Sequence, residues 1–236
     1  TKMLTIIINY KHSFRSLIYY PTSSQPRTPK EIAMFSIPQN DRYAVFIDGA
    51  NFHATTRALS FEVDYEKLMK MFKSEGRLVR AYYYTALPDG TDYAPIRRLS
   101  DWLDYNGYTM VTKQTREFTD HETGRRRIKG NMDMELALDM LKLAPHIEHA
   151  VLFSGDGDFN RLLHEVQDMG IRVTVVSTLK SRPPLMADVL RRQTDDFIEL
   201  DSLRELISRP PRDPAQDEEF YSGDDEIEVL EDRRKM

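Results

Sequence analysis

The chain contains no cysteine. That excludes a disulfide scaffold, a thiolate nucleophile and any Cys-bound zinc or iron–sulfur site. No stretch approaches the roughly 18 consecutive apolar residues of a membrane helix. Histidines are few and scattered, and no Ser–His–Asp or Cys–His constellation can be assembled from the order of residues. A surplus of positive charge is also missing. Lys and Arg number 33 against 38 Asp and Glu, a net charge of −5, which poorly suits a protein that wraps duplex nucleic acid passively. What remains is an ordinary soluble composition, 40% hydrophobic and 30% charged, over 236 residues. That length holds one sizeable α/β core with a short extension at each end, and it is too short for two full cores. A cytoplasmic location, away from membranes, is the expectation.

Charge is unevenly spread. Residues 1–40 carry five bases and one acid, whereas residues 209–236 carry ten acids and five bases. The first segment opens with one short apolar run, Leu4 to Ile8, followed by Ser, Thr, Pro and Tyr without periodicity. It reads as an extension outside the fold with little order. A start misassigned ahead of Met34, a basic transit-like segment and an extra strand over Leu4–Ile8 are its competing explanations. The last segment follows Pro210, Pro211 and Pro214 and reads as a disordered acidic tail able to dock a protein partner.

Between them, residues 41–208 alternate strand and helix patterns. Tyr43–Ile47 is short and wholly apolar, as a strand covered on both faces must be. Val63–Ser74 and Tyr93–Asn106 show helical spacing, and Asn106-Gly107 stops the second. Leu78–Thr85, Tyr108–Lys113, His149–Ser154 and Ile171–Val176 read as further strands, with Phe197-Ile198 as a sixth. Met132–Leu143 is apolar almost all round and predicts a deeply packed helix, and Phe159–Met169 predicts another. Ser202–Ser208 closes the fold as a last helix. Strands separated by helices of 10–15 residues imply crossovers and a mainly parallel sheet of five to six strands.

In such a sheet, ligands bind at the C-terminal ends of the strands. The first strand runs into Asp48-Gly49-Ala50-Asn51 and the fourth into Ser154-Gly155-Asp156-Gly157-Asp158. A third polar entry, Lys129-Gly130-Asn131-Met132-Asp133, opens the apolar helix. Carboxylates aimed at one crevice repel each other unless a cation joins them. Oxygen ligands without Cys or clustered His favour Mg²⁺ or Mn²⁺, ions that support phosphodiester hydrolysis. Each acid has a structural alternative: Asp48, Asp156 and Asp158 as caps or turn residues, and Asp133 as a partner of its helix dipole. Asp139 lies about 120° round the helix from Asp133 and ranks below it as a ligand.

Phe46–Phe52, Lys129–Met140, Val151–Phe159 and Leu190–Leu200 together resemble the NYN domain, in the LabA-like branch of the PIN-like nuclease superfamily. The resemblance spans about residues 42 to 208. It implies a Rossmann-like, three-layer α/β/α fold and an Mg²⁺- or Mn²⁺-dependent site that cleaves RNA. Carried over by position, Asp48, Asp133, Asp156 and Asp158 are the metal-facing acids. Asn51 orients Asp48 or contacts a phosphate, and Ser154 shapes the loop. Members often carry a small hydroxyl residue before the last strand, where this chain has Pro183-Pro184-Leu185-Met186.

An acidic nuclease needs local cations for its substrate. Thr123-Gly124 marks a hairpin tip, and Arg125, Arg126, Arg127 and Lys129 lead from it into the acidic helix. Arginine pairs bidentately with phosphate, so the hairpin is expected to guide a single RNA strand past the site. Lys113, Arg97, Arg98 and Arg116 would extend the patch. Tyr82, Tyr83 and Tyr84 are assigned mostly to the core, and His146 and His149 to the surface near a turn. The expected function is a metal-dependent endoribonuclease acting on single-stranded RNA, with a non-catalytic RNA- or protein-binding module as the alternative.

Overall fold

A computed structural model describes residues 35, 37–88, 94–115, 117–119, 126–128 and 131–210. Six parallel strands form the central sheet: β1 (Arg42–Asp48), β2 (Arg77–Pro88), β3 (Thr109–Thr115), β6 (His149–Phe153), β7 (Arg172–Ser177) and β8 (Asp196–Glu199). Their order is β3-β2-β1-β6-β7-β8. The chain therefore winds outward in one direction from β1 to β3 and in the other from β6 to β8. The winding reverses between β1 and β6, and a reversal of this kind opens a crevice at the carboxyl ends of the two strands. A separate antiparallel pair, β4 (Glu117–Thr119) and β5 (Arg126–Ile128), sets Phe118 opposite Arg127 and Thr119 opposite Arg126. The predicted hairpin is thus present in its two strands. Its tip, with Arg125, and the following Lys129 lie outside the described residues.

Alternation along the strands divides the core in two. Tyr43, Val45, Ile47, Val151 and Phe153 face one cluster. It is covered by α1 (Gly49–Ala58), α2 (Tyr65–Ser74), α3 (Ala94–Tyr105) and α7 (Arg204–Ile207). Ala44, Phe46, Ala150 and Leu152 face the other, under α4 (Asp133–Leu143), α5 (Asn160–Asp168) and α6 (Asp188–Gln193). This is the expected three-layer α/β/α arrangement, and the parallel sheet is buried because helices cover both faces.

Three sequence expectations need correction, and one helix was not expected at all. Phe35 and Ile37 are buried in the first cluster, so the packed body starts ahead of residue 41. Helix α1 had no apolar periodicity to announce it; it buries Gly49, Asn51, Phe52, Thr55 and Thr56 and begins on the Asp48 cap. Helix α4 is not deeply packed all round. Leu136 and Met140 are buried, whereas Met134 is 69% and Leu138 48% exposed. His149 is no surface residue: it opens β6 at 1% exposure, with Nε2 2.8 Å from the Thr174 hydroxyl and Nδ1 without a partner. His146 is exposed on the short turn before it, as expected.

Candidate metal centre

The site grows out of the two central strands. Past a polar first residue, Arg42 or His149, each is apolar up to its end, over Tyr43–Ile47 and Ala150–Phe153, so each delivers a polar loop at the same sheet edge. Strand β1 ends in Asp48, which caps α1: its Oδ1 accepts the Asn51 backbone N–H at 3.2 Å. Strand β6 runs into Ser154, fully buried, whose hydroxyl donates to Asp48 Oδ2 at 3.1 Å. The same hydroxyl oxygen accepts the Asp156 N–H at 3.2 Å, so one side chain joins the two strand ends. The Asn51 side chain ties them a second time. Its Oδ1 accepts the Gly155 N–H at 2.9 Å in a buried bond. Asn51 thus orients Asp48 through its backbone and the acidic loop through its side chain.

Two glycines let the backbones come this close. A Cβ on Gly49 would stand 2.5 Å from the Tyr84 carbonyl oxygen, and one on Gly155 2.0 Å from that of Leu185. The segment carrying Pro183 to Met186 therefore packs directly on the acidic loop, and the Ala187 N–H donates to the Gly155 carbonyl at 2.8 Å.

Asp156 caps the short turn Gly157–Phe159, with Oδ1 accepting the Asp158 N–H at 2.9 Å. Asp133 is the first residue of α4. Asn131 brackets it: its Oδ1 accepts the Asp133 N–H at 2.7 Å, and its amide donates to Asp133 Oδ2. The sequence had given Asn131 no role, although an Asn two residues before a helical acid is a usual way to fix a helix start. Asp133, Asp156 and Asp158 each offer one carboxylate oxygen, and the three oxygens lie within 4.8 Å of one another. Asp48 is not in this group; it is linked to it through Ser154. Asp139 also stands apart, with Oδ2 3.4 Å from the Tyr84 hydroxyl and Oδ1 3.7 Å from Lys142.

Electrostatics agree with this clustering. Burial raises the Asp133 carboxyl above its ordinary value, and the charges of Asp156, Asp158 and Glu135 push it the same way against the Asn131 hydrogen bond. A group of oxygens that raises the cost of its own ionisation is the donor set a hard divalent cation satisfies. Lys113 does not join a free basic patch: it pairs with Glu135 at 2.9 Å and holds that carboxyl below its ordinary value. Tyr83 and Tyr84 are buried, as expected of core residues, and Tyr82 is half-buried and stacked on Phe46. Arg126 and Arg127 lie on β5, whose antiparallel partner is β4.

Comparison with known proteins follows the same boundaries. Residues 42–201 match the model of the NYN domain. The chain belongs to the NYN domain family. Over 174 residues it is 36% identical to the Low amplitude and bright protein LabA of Synechococcus elongatus, covering 72% of this chain and 90% of that protein. The crystal structure of a protein of unknown function from Vibrio parahaemolyticus superposes with a TM-score of 0.57 at 23% identity, covering 72% of this chain and 97% of that one. That likeness is one of fold. An NYN domain is a nuclease-type, PIN-like fold, and here it carries a candidate acidic metal cluster at the point where the sheet reverses. No helix among the described residues is long and apolar enough to cross a membrane.

Proposed function

We propose that this NYN protein is an Mg²⁺- or Mn²⁺-dependent endoribonuclease that hydrolyses phosphodiester bonds in single-stranded RNA. The observation that carries the reading is the convergence of Asp133, Asp156 and Asp158 within 4.8 Å at the mouth of the crevice. These three would hold the cation. Bound there, a divalent ion supplies neutralising charge for a phosphodiester and acidifies a water for attack on phosphorus. Asp48 is the fourth acid of the site, fixed by Ser154 and the Asn51 N–H so that it faces the same sheet edge. Asn131 holds the Asp133 carboxylate at the start of α4.

The substrate enters by charge. Arg125, Arg126, Arg127 and Lys129 stand just before Asp133 in the chain and supply cations for the phosphates of one strand. An extended backbone suits a crevice lined by acids better than a duplex does.

The test is cleavage of single-stranded RNA with Mg²⁺, Mn²⁺ or EDTA, using the wild type and Asp156→Asn. The substitution keeps the cap geometry and removes one charge. Activity should fall by at least about a hundredfold, since even indirect supports of a metal ligand are worth 10–100-fold. Cleavage that persists in excess EDTA, or is equal in the two proteins, rejects the proposal.

A further inference from the structure

A groove of about 300 Å³ lies between α4 and α5 and opens beside the acidic cluster. Asp133, Met134, Ala137 and Leu141 line it from α4, and Asp158, Phe159, Arg161, Leu162 and Glu165 from the α5 side. Asp133, Ala137 and Leu141 are each four residues apart, so the groove descends about two turns from the metal-facing carboxylates. Its size is at the lower end of small-molecule sites. Its floor is apolar, with Phe159 and Leu162 both buried. At its rim, Met134 holds a thioether side chain 69% exposed, and Arg161 is paired with Glu165.

We propose that this groove is a nucleobase subsite: it receives the base of the nucleotide whose phosphate lies at the acidic cluster. The inference rests on the nuclease reading above and adds a base-binding role for α4 and α5. Continuity with Asp133 and Asp158 selects this occupant. A ligand here must combine a group that tolerates a metal and acids at one end with a flat apolar body at the other, and a nucleotide has both. Met134 offers a polarizable sulfur to an aromatic ring, and the planar Arg161 guanidinium stacks on one. The Arg161–Glu165 pair also presents donors and an acceptor that can meet the polar edge of a base. The inference explains why α4 keeps a large apolar side chain in water one residue from the cluster.

The experiment is a binding measurement on the full chain in Mn²⁺, with guanosine 5′-monophosphate and ribose 5-phosphate as probes. The two share a sugar and a phosphate and differ in the base. The wild type should bind the nucleotide roughly fivefold or more tightly, since stacking of one base contributes about 1–3 kcal/mol. Ala137→Leu fills the groove, and Arg161→Ala removes the exposed stacking plane without touching the core. Both should reduce that preference while leaving ribose 5-phosphate affinity and Mn²⁺ binding unchanged. Equal affinity of the wild type for the two probes, with Mn²⁺ bound, overturns the subsite and leaves the metal site standing. Loss of Mn²⁺ binding itself in the wild type removes the nuclease reading and this inference together. A change of oligomeric state caused by Ala137→Leu also overturns it, because the groove would then be a contact between copies.

Discussion

Removing the Asp133 charge should make the metal-free protein more stable and the metal-loaded protein relatively less so. Asp133 shares a sphere of 4.8 Å with Asp156 and Asp158. At that separation a pair of unit charges repels by about 1 kcal/mol in water and about 3.5 kcal/mol at an effective dielectric constant of 20. Asp158 is exposed, so its share lies near the lower figure. Asp133→Asn also gives up a favourable charge at the start of α4, worth about 0.3–1 kcal/mol. The net gain expected in EDTA at neutral pH is about 1–2 kcal/mol, or about 2–8 °C in Tm for a domain of this size. The Asn131 amide can still donate to the oxygen of the new side chain, so the helix start survives. The sign with pH is fixed. Burial and neighbouring charges raise this carboxyl, so the stability it costs is absent below its ordinary value of 3.8 and appears as pH rises through the raised one. The advantage of the variant should therefore vanish in acid. Saturating Mn²⁺ reverses the order. At a hundred times its dissociation constant the ion stabilises the wild type by about 2.7 kcal/mol, and a variant that binds a hundredfold more weakly gains only about 0.4 kcal/mol. Scanning calorimetry of both proteins, with EDTA and with Mn²⁺, reads all of this. A variant no more stable than wild type in EDTA, or one with the same Mn²⁺ response, would refute the idea that these acids crowd one cation site.

Three further outcomes follow from the same geometry. Ser154→Ala removes the hydroxyl that joins Asp48 to Asp156 and should weaken Mn²⁺ binding by about 10–100-fold, as titration of the metal would report. Gly155→Ala drives a methyl group to 2.0 Å from the Leu185 carbonyl oxygen, and chemical unfolding should show a loss of about 1–3 kcal/mol. Burial lowers the His149 imidazole below 6.5, so stability should be full above that pH and decline as pH falls beneath it; urea unfolding at pH 8 and pH 5.5 should show a smaller decline in His149→Gln.

The central strands were legible because burial on both faces strongly favours apolar residues: Tyr43–Ile47 and Ala150–Phe153 run side by side as the innermost pair of the sheet. The acids were legible for the complementary reason, as charges placed immediately after an apolar strand have only the sheet edge to occupy. Helix α1 was not, because a helix held by its cap and by small buried residues shows no apolar stripe. In α4, Met134 and Leu138 look like core in the sequence, and only the packing shows that two of its apolar positions face water. His149 was misplaced because a histidine after a turn is usually exposed, whereas this one already belongs to the strand. The division of labour among the acids was also hidden. Spacing groups Asp48 with the others, but only coordinates show Ser154 standing between them.

The two strand ends that make the crevice are neighbours in space yet 106 residues apart in the chain, as the Ser154 bond to Asp48 records. During synthesis, β1, β2 and β3 are all made before Asp156 exists. On the proposed function, the three acids that would hold the cation are all made after the first half of the sheet, so the nascent polypeptide cannot cut the message from which it is being translated until they have emerged, and Asp48 joins them only when β6 pairs with β1.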